Sequence, residues 1–159
     1  MTSVDPVPDG GPTLVPRLVV RGAAQAIEFY EQAFAASEVG YRFTMPDGTV
    51  VHSDVRIGDS VVHVTDESGD GHGVAPSASD SAVSAIMSLT VDDVDAWWQR
   101  AVDAGCTVVY PLADQFYGDR SGRLRDPFGQ QWMLRTAIED LDPDEVERRM
   151  AQWAAEQQT

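Results

Sequence analysis

The apolar runs of this chain fall into the same order twice, and that doubling constrains the fold more than any single motif. Residues 14–20 read as a first strand with Pro16 near its start. Ala26, Ile27, Tyr30, Ala33 and Phe34 then share one face of a helix. Residues 41–45 alternate as a strand. Pro46-Asp47-Gly48 turns the chain into residues 50–57, and Gly58-Asp59 turns it again into residues 60–65. The order is β-α-β-β-β. It returns after a Gly/Ser/Asp-rich stretch. Residues 85–91 form a strand, Asp92 and Asp93 are cap candidates for a helix over 94–104, and Gly105 ends that helix. Residues 107–110 form a strand, and a long loop over 111–125 ends in a strand around 122–125. Residues 131–136 close the set.

This spacing predicts an α+β fold: two βαβββ modules, residues 14–66 and 84–137, joined by a linker over 67–83. Residues 1–13 read as a flexible tail rich in Pro, Gly and Asp. A C-terminal extension over 138–159 holds one more helix. Asp142-Pro143-Asp144-Glu145 supplies its N-cap, a proline at the first position and acids in the first turn. Val146, Met150, Trp153 and Ala154 give this helix an apolar stripe. The stripe is expected to pack on its own domain, with a partner subunit as the alternative.

The charge of −15, from 26 acidic and 11 basic residues, speaks against nucleic acid, which needs a basic footprint. It serves solubility, or else forms a field that attracts a cationic ligand. No run approaches the roughly 18 apolar residues that span a bilayer, so no membrane role is expected. The N-terminus lacks the layout of a signal peptide. Cys106 is the one cysteine, which excludes an internal disulfide and makes the cytoplasm the expected compartment. Set between Gly105 and Thr107-Val108-Val109, it reads as a small buried thiol.

Gly118-Asp119-Arg120-Ser121-Gly122-Arg123-Leu124-Arg125-Asp126-Pro127-Phe128-Gly129-Gln130-Gln131-Trp132 carries turn chemistry followed by a short apolar strand. This stretch resembles the end of the second module in the glyoxalase/bleomycin-resistance/dioxygenase superfamily, the vicinal oxygen chelate proteins. Leu18 through Phe34 resembles the opening of the PhnB-like branch. Met45-Pro46-Asp47-Gly48, His52-Ser53-Asp54 and Arg56-Ile57-Gly58-Asp59-Ser60 are similar to it as well, with Asp54 where that branch usually has Glu. Thr136 and Glu139-Asp140-Leu141 extend the likeness, which covers about residues 14–150. The resemblance implies a curved mixed sheet around a cup-shaped cavity, and homodimers are common among such proteins. Metal-using members bind one divalent ion through the first and last strands of both modules, for Lewis-acid chemistry. Others sequester a drug without metal.

Counted from the motifs, the implied ligand positions fall at Val15 or Pro16, at His63, at Ile86 (Met87 or Ser88 with a slip), and at Met133. Only His63 is a good ligand, and one ligand among four does not hold a catalytic metal. No metal and no other cofactor is therefore expected, and a divalent ion is the alternative. His63 is either a cavity-floor hydrogen-bonding or basic group, or a half-buried strand histidine. His52 and Asp54 share its parity one strand away and could join it, which makes the three the catalytic candidates. His72 is expected to be solvated in the linker.

Tyr41, Phe43, Tyr110, Phe116, Tyr117 and Trp132 lie where a cup-shaped cavity would be lined, and with His63 they are the ligand-binding candidates. Phe116-Tyr117, beside Gly118 in the long loop, fit a lid. Arg120, Arg123 and Arg125 form a local basic patch that either neutralises Asp119 and Asp126 or binds an anion. No nucleophile elbow and no phosphate-cradling glycine motif is present. The expected function is metal-independent binding of a small aromatic or cationic molecule by a homodimer. A divalent-metal lyase, isomerase or dioxygenase is the alternative.

Overall fold

Each half of the sequence closes its own four-stranded mixed sheet. The protein is represented by a computed structural model that describes residues 12–69, 73–79 and 82–157. His72 and most of the N-terminal tail lie outside the described residues. The chain divides into two units, residues 1–31 with 35–75, and residues 32–34 with 76–159.

The first unit runs β1 (Arg17–Val20), α1 (Ala23–Phe34), β2 (Ser37–Thr44), β3 (Val50–Ile57) and β4 (Ser60–Asp66). The sheet order is β1-β4-β3-β2, with β1 parallel to β4 and the other pairs antiparallel. Strand β1 is shorter than the apolar run suggests. Pro16 has no N–H to donate, and its carbonyl accepts from His63 N (2.8 Å) just before the paired strand begins. Helix α1 starts at Gly22, which has no capping side chain of its own. Asp66 takes that role from the end of β4. Its Oδ1 accepts from Gly22 N (2.9 Å) and Ala23 N (2.8 Å), while its Oδ2 accepts from Val50 N (2.8 Å). One carboxylate thus joins three elements.

Strand alternation then sorts the sheet's two faces. Ser53, Val55 and Ile57 of β3 are buried with Val62 and Val64 of β4, whereas His52, Asp54 and His63 remain partly open. The described part of the expected linker is partly packed. Glu67 holds Arg21 and also accepts from Ala75 N (2.9 Å), and Ala75 is buried.

The second unit runs β5 (Ile86–Thr90), α2 (Val94–Ala104), β6 (Thr107–Asp114), β7 (Asp119–Arg125), β8 (Gln131–Ala137) and α3 (Pro143–Glu156), with sheet order β5-β8-β7-β6. Asp93 caps α2 by accepting from Ala96 N (3.0 Å), and Asp142 caps α3 by accepting from Glu145 N (2.9 Å). The expected long loop over 111–125 is instead a hairpin. Strands β6 and β7 continue to Asp114 and Asp119, and Gln115–Gly118 forms a tight turn with Gly118 at φ 89°. Pro111 interrupts the apolar run of β6, and the charged residues of β7 mask its alternation. Phe116-Tyr117 therefore sit in a hairpin turn, not in a lid.

The Asp126-Pro127-Phe128-Gly129 turn is built as its residues suggest. Asp126 Oδ1 accepts from Phe128 N and Gln130 N (both 2.9 Å), and Gly129 takes φ 91°. Cys106 is buried, and desolvation pushes its thiol pKa up to about 12, which makes it a packing residue and a poor nucleophile. Helix α3 buries none of its residues. Met150 and Trp153 of its apolar stripe are exposed, although the Trp153 ring stacks on Phe116 at 5.4 Å. Among the described residues no helix is long and apolar enough to cross a membrane.

Candidate functional site

In the first unit the β3–β4 register sets Asp54 opposite His63, and the β2–β3 register sets Phe43 opposite His52. Three polar side chains converge on this sheet face. Asp54 Oδ1 lies 3.1 Å from His63 Nε2 and 3.4 Å from His52 Nε2. All three residues are partly buried, and their donor atoms lie within 4.8 Å of one another.

An aromatic row crosses the same face. Ring centroids are 4.7 Å apart for Tyr41–Phe43, 6.1 Å for Phe43–His52 and 4.8 Å for His52–His63. The row depends on a feature that the sequence reading missed. Strand β2 changes register between Val39 and Phe43, where Gly40 takes φ 73°. A Cβ at Gly40 would come within 3.2 Å of Asp54 Oδ2, so glycine also gives that carboxylate its room. The expected strand began at residue 41, whereas β2 runs from Ser37 and so takes Gly40 into its interior.

Electrostatics favour a neutral imidazole at His63. Burial lowers its pKa, Asp54 opposes that shift, and His52 and Arg17 add to the lowering. A neutral His63 is an acceptor or donor at neutral pH rather than a fixed cation.

The metal positions implied by the resemblance do not assemble into a ligand set. On β1 the residue paired with His63 is Arg17 rather than Val15 or Pro16, and on β5 the residue paired with Met133 is Ser88, the slipped alternative to Ile86. Neither the guanidinium–imidazole pair of the first unit nor the serine–thioether pair of the second is a donor set suited to a divalent ion. The His52–Asp54–His63 group is a different donor set, two nitrogens and one oxygen on a single sheet. Its ligand atoms all lie within 4.8 Å of one another.

The other candidates divide. Tyr110 and Tyr117 line a cavity of about 310 Å³ in the second unit, with Ser121, Arg123 and Met133. Phe116 is stacked against Trp153. Trp132 is buried at 1% exposure, donates from Nε1 to Asp126 Oδ2 (2.9 Å) and packs its ring on Phe34 at 4.5 Å. It is packed in the core, on the face of β8 opposite to Met133. A more open hollow of about 520 Å³ lies at the start of α1, but the amides it would offer are taken by Asp66.

Comparison with known proteins places this geometry. The sequence profile of the Glyoxalase/Bleomycin resistance protein/Dioxygenase superfamily matches residues 13–134. An uncharacterized protein of Mycobacterium tuberculosis strain H37Rv is 42% identical over 143 residues, which cover 88% of this chain and 83% of that protein. The crystal structure of TioX from Micromonospora sp. ML1 superposes with a TM-score of 0.63 at 24% identity, over 80% of this chain and 100% of TioX. The PhnB protein from Bacillus cereus superposes with a TM-score of 0.59 at 19% identity, over 79% of this chain and 100% of that one. At these identities the two structures speak for the fold alone. Module order, sheet topology and profile agree: this chain belongs to the glyoxalase/bleomycin-resistance/dioxygenase superfamily.

Proposed function

We propose that the protein binds or sequesters a small planar aromatic molecule, a cationic one included, without a metal ion. The observation that carries this reading is the row of rings Tyr41–Phe43–His52–His63, with Tyr41 69% and Phe43 54% exposed on one sheet face. Exposed ring faces and edges at such spacing stack on a flat ligand, and Asp54 beside them favours a positive charge. Arg17 next to His63 supports the metal-free form of the reading, since it occupies the place of a first-strand ligand.

The test is a titration of the protein with planar aromatic compounds, neutral and cationic, followed by calorimetry and thermal shift. Stabilisation by at least one of them is expected. Phe43→Ala should weaken that binding by about fivefold to tenfold, and chelator treatment should leave it unchanged. Absence of any saturable binding, or binding that vanishes with the chelator, would overturn the reading.

A second reading has its own observation, the two-nitrogen, one-oxygen donor set of His52, Asp54 and His63. On it the protein is a divalent-metal lyase, isomerase or dioxygenase. It requires about one ion per chain in elemental analysis of metal-loaded protein, and loss of that ion in Asp54→Ala.

A further inference from the structure

All 11 basic residues of this chain are arginines, set against 26 acids. Several have carboxylate partners: Arg21 with Glu67, Arg42 with Glu38, Arg120 with Asp95 and Asp114, Arg135 with Asp119, and Arg148 and Arg149 with Glu145. Arg123 is among those with no such partner. It lies in the middle of β7, opposite Tyr110 on β6 and Met133 on β8, and no ion pair is formed by it among the described residues. Its guanidinium carbon sits 5.0 Å from the centre of the Tyr110 ring. Its Nε is buried and makes no hydrogen bond within the protein, which also holds for Nε of Arg125 and Arg135, but of the three only Arg123 lines the cavity of Tyr110 and Tyr117. A buried donor left without an acceptor is destabilising, and a bound ligand, ion or water is one way to satisfy it.

The surroundings of Arg123 are those of a ligand site. It faces the cavity of about 310 Å³, whose other walls include Tyr110, Pro111 and Met133. The Tyr117 and Ser121 hydroxyls lie 3.0 Å apart on the same cavity. The volume lies at the lower end of small-molecule sites. A planar guanidinium held against a ring presents its remaining N–H groups in a fixed fork, the geometry that pairs with two oxygens of one oxyanion.

We propose that this cavity binds a small organic acid. The carboxylate or phosphonate oxygens would sit on Arg123, the apolar body would lie against Tyr110, Pro111 and Met133, and the Tyr117–Ser121 hydroxyl pair would take a further polar group. This cavity is lined by residues of the second unit, and the proposal does not depend on the reading given for the ring row.

The test uses isotopically labelled full-length protein, with amide shifts followed during titration by benzoate, phenylphosphonate and neutral benzamide. Saturable shifts on the β6–β7 hairpin are expected with at least one of the two acids, and the stronger of them tells which oxyanion the site takes. Benzamide should bind at least about tenfold more weakly, and Arg123→Gln should weaken the acids by at least about tenfold. Arg123→Lys should keep part of the affinity, because the charge remains while the fork is lost. Arg56→Gln, in the other unit, should change nothing. The proposal is overturned if neither acid gives saturable shifts up to about 20 mM, if benzamide matches the acids, or if Arg123→Gln leaves them unaffected. Should Arg123→Gln fail to fold by its own spectrum, the acid-to-amide ratio on the wild type and the Arg123→Lys affinity decide.

Discussion

His63 Nε2 and Asp54 Oδ1 stand 3.1 Å apart on register-paired positions of β4 and β3, yet the carboxylate does not make the imidazole more basic. Burial outweighs it, and the nearby Arg17 and His52 push the same way. The net effect is a pKa below the ordinary 6.5.

That balance has a sign that stability measurements can read. A histidine whose folded pKa is depressed holds fewer protons in the folded than in the unfolded state, so folding weakens as pH falls. The contribution is fully present above the unfolded value of 6.5 and is lost as pH drops through the lower folded value. His63→Gln removes this dependence. Thermal melts between about pH 7.5 and pH 5 should show the wild type losing more stability than the variant across that window. A wild-type-minus-variant difference that stays constant with pH would sink the assignment.

Asp66 offers a second prediction, because its side chain accepts from the amides of Gly22, Ala23 and Val50 at once. Asp66→Ala leaves the start of α1 without a capping side chain and frees the Val50 amide. The expected loss is about 2 kcal/mol, the sum of a missing cap and an unpaired amide. Urea unfolding of wild type and variant measures it. A loss below about 0.5 kcal/mol would mean that water replaces the carboxylate at no cost.

Gly122 carries the third. A Cβ there would lie 2.5 Å and 2.7 Å from the Trp98 ring and 2.9 Å from Leu112 Cα, so α2 and the neighbouring strand are closed over a bare backbone. Gly122→Ala should destabilise by about 2 kcal/mol through overpacking. Trp98→Leu in the same chain should recover only part of that, since the Leu112 backbone remains in the way. A double-mutant cycle by urea unfolding checks both claims, and full recovery would show that Leu112 imposes no constraint.

The fold was legible because its signals are local. The period-2 runs of β3 and β4, the period of α1, the Asp93 and Asp142 caps and the Asp126–Gly129 turn all stand in the sequence as they stand in the structure. The β6–β7 hairpin was not legible, because Arg120, Arg123 and Arg125 on β7 hide the alternation that marks a strand. Parity was enough to group His52, Asp54 and His63. Whether their atoms meet depends on the β3–β4 register and the Gly40 irregularity, which no local pattern states. Arg123 read as one of three basic residues beside acids. Pairing separated it from Arg120, whose guanidinium holds Asp95 and Asp114, and no spacing in the sequence carries that difference.

Trp132 was expected to line a ligand cavity, and its place in the structure makes the opposite prediction. The indole is buried on the core side of β8, joined to Asp126 at 2.9 Å and packed on Phe34. Trp132→Phe removes the N–H and part of the ring. It leaves Asp126 Oδ2 without that donor and opens space beside Phe34. The expected cost is about 2–4 kcal/mol, made of the lost charged hydrogen bond and the underfilled core. Because Trp132 is not among the residues that line the Arg123 cavity, affinity for a ligand of that cavity measured well below the variant's melting temperature should stay within about twofold of wild type. Calorimetric titration paired with urea unfolding separates the two effects. A variant that keeps its stability but loses a ligand would return Trp132 to the binding surface.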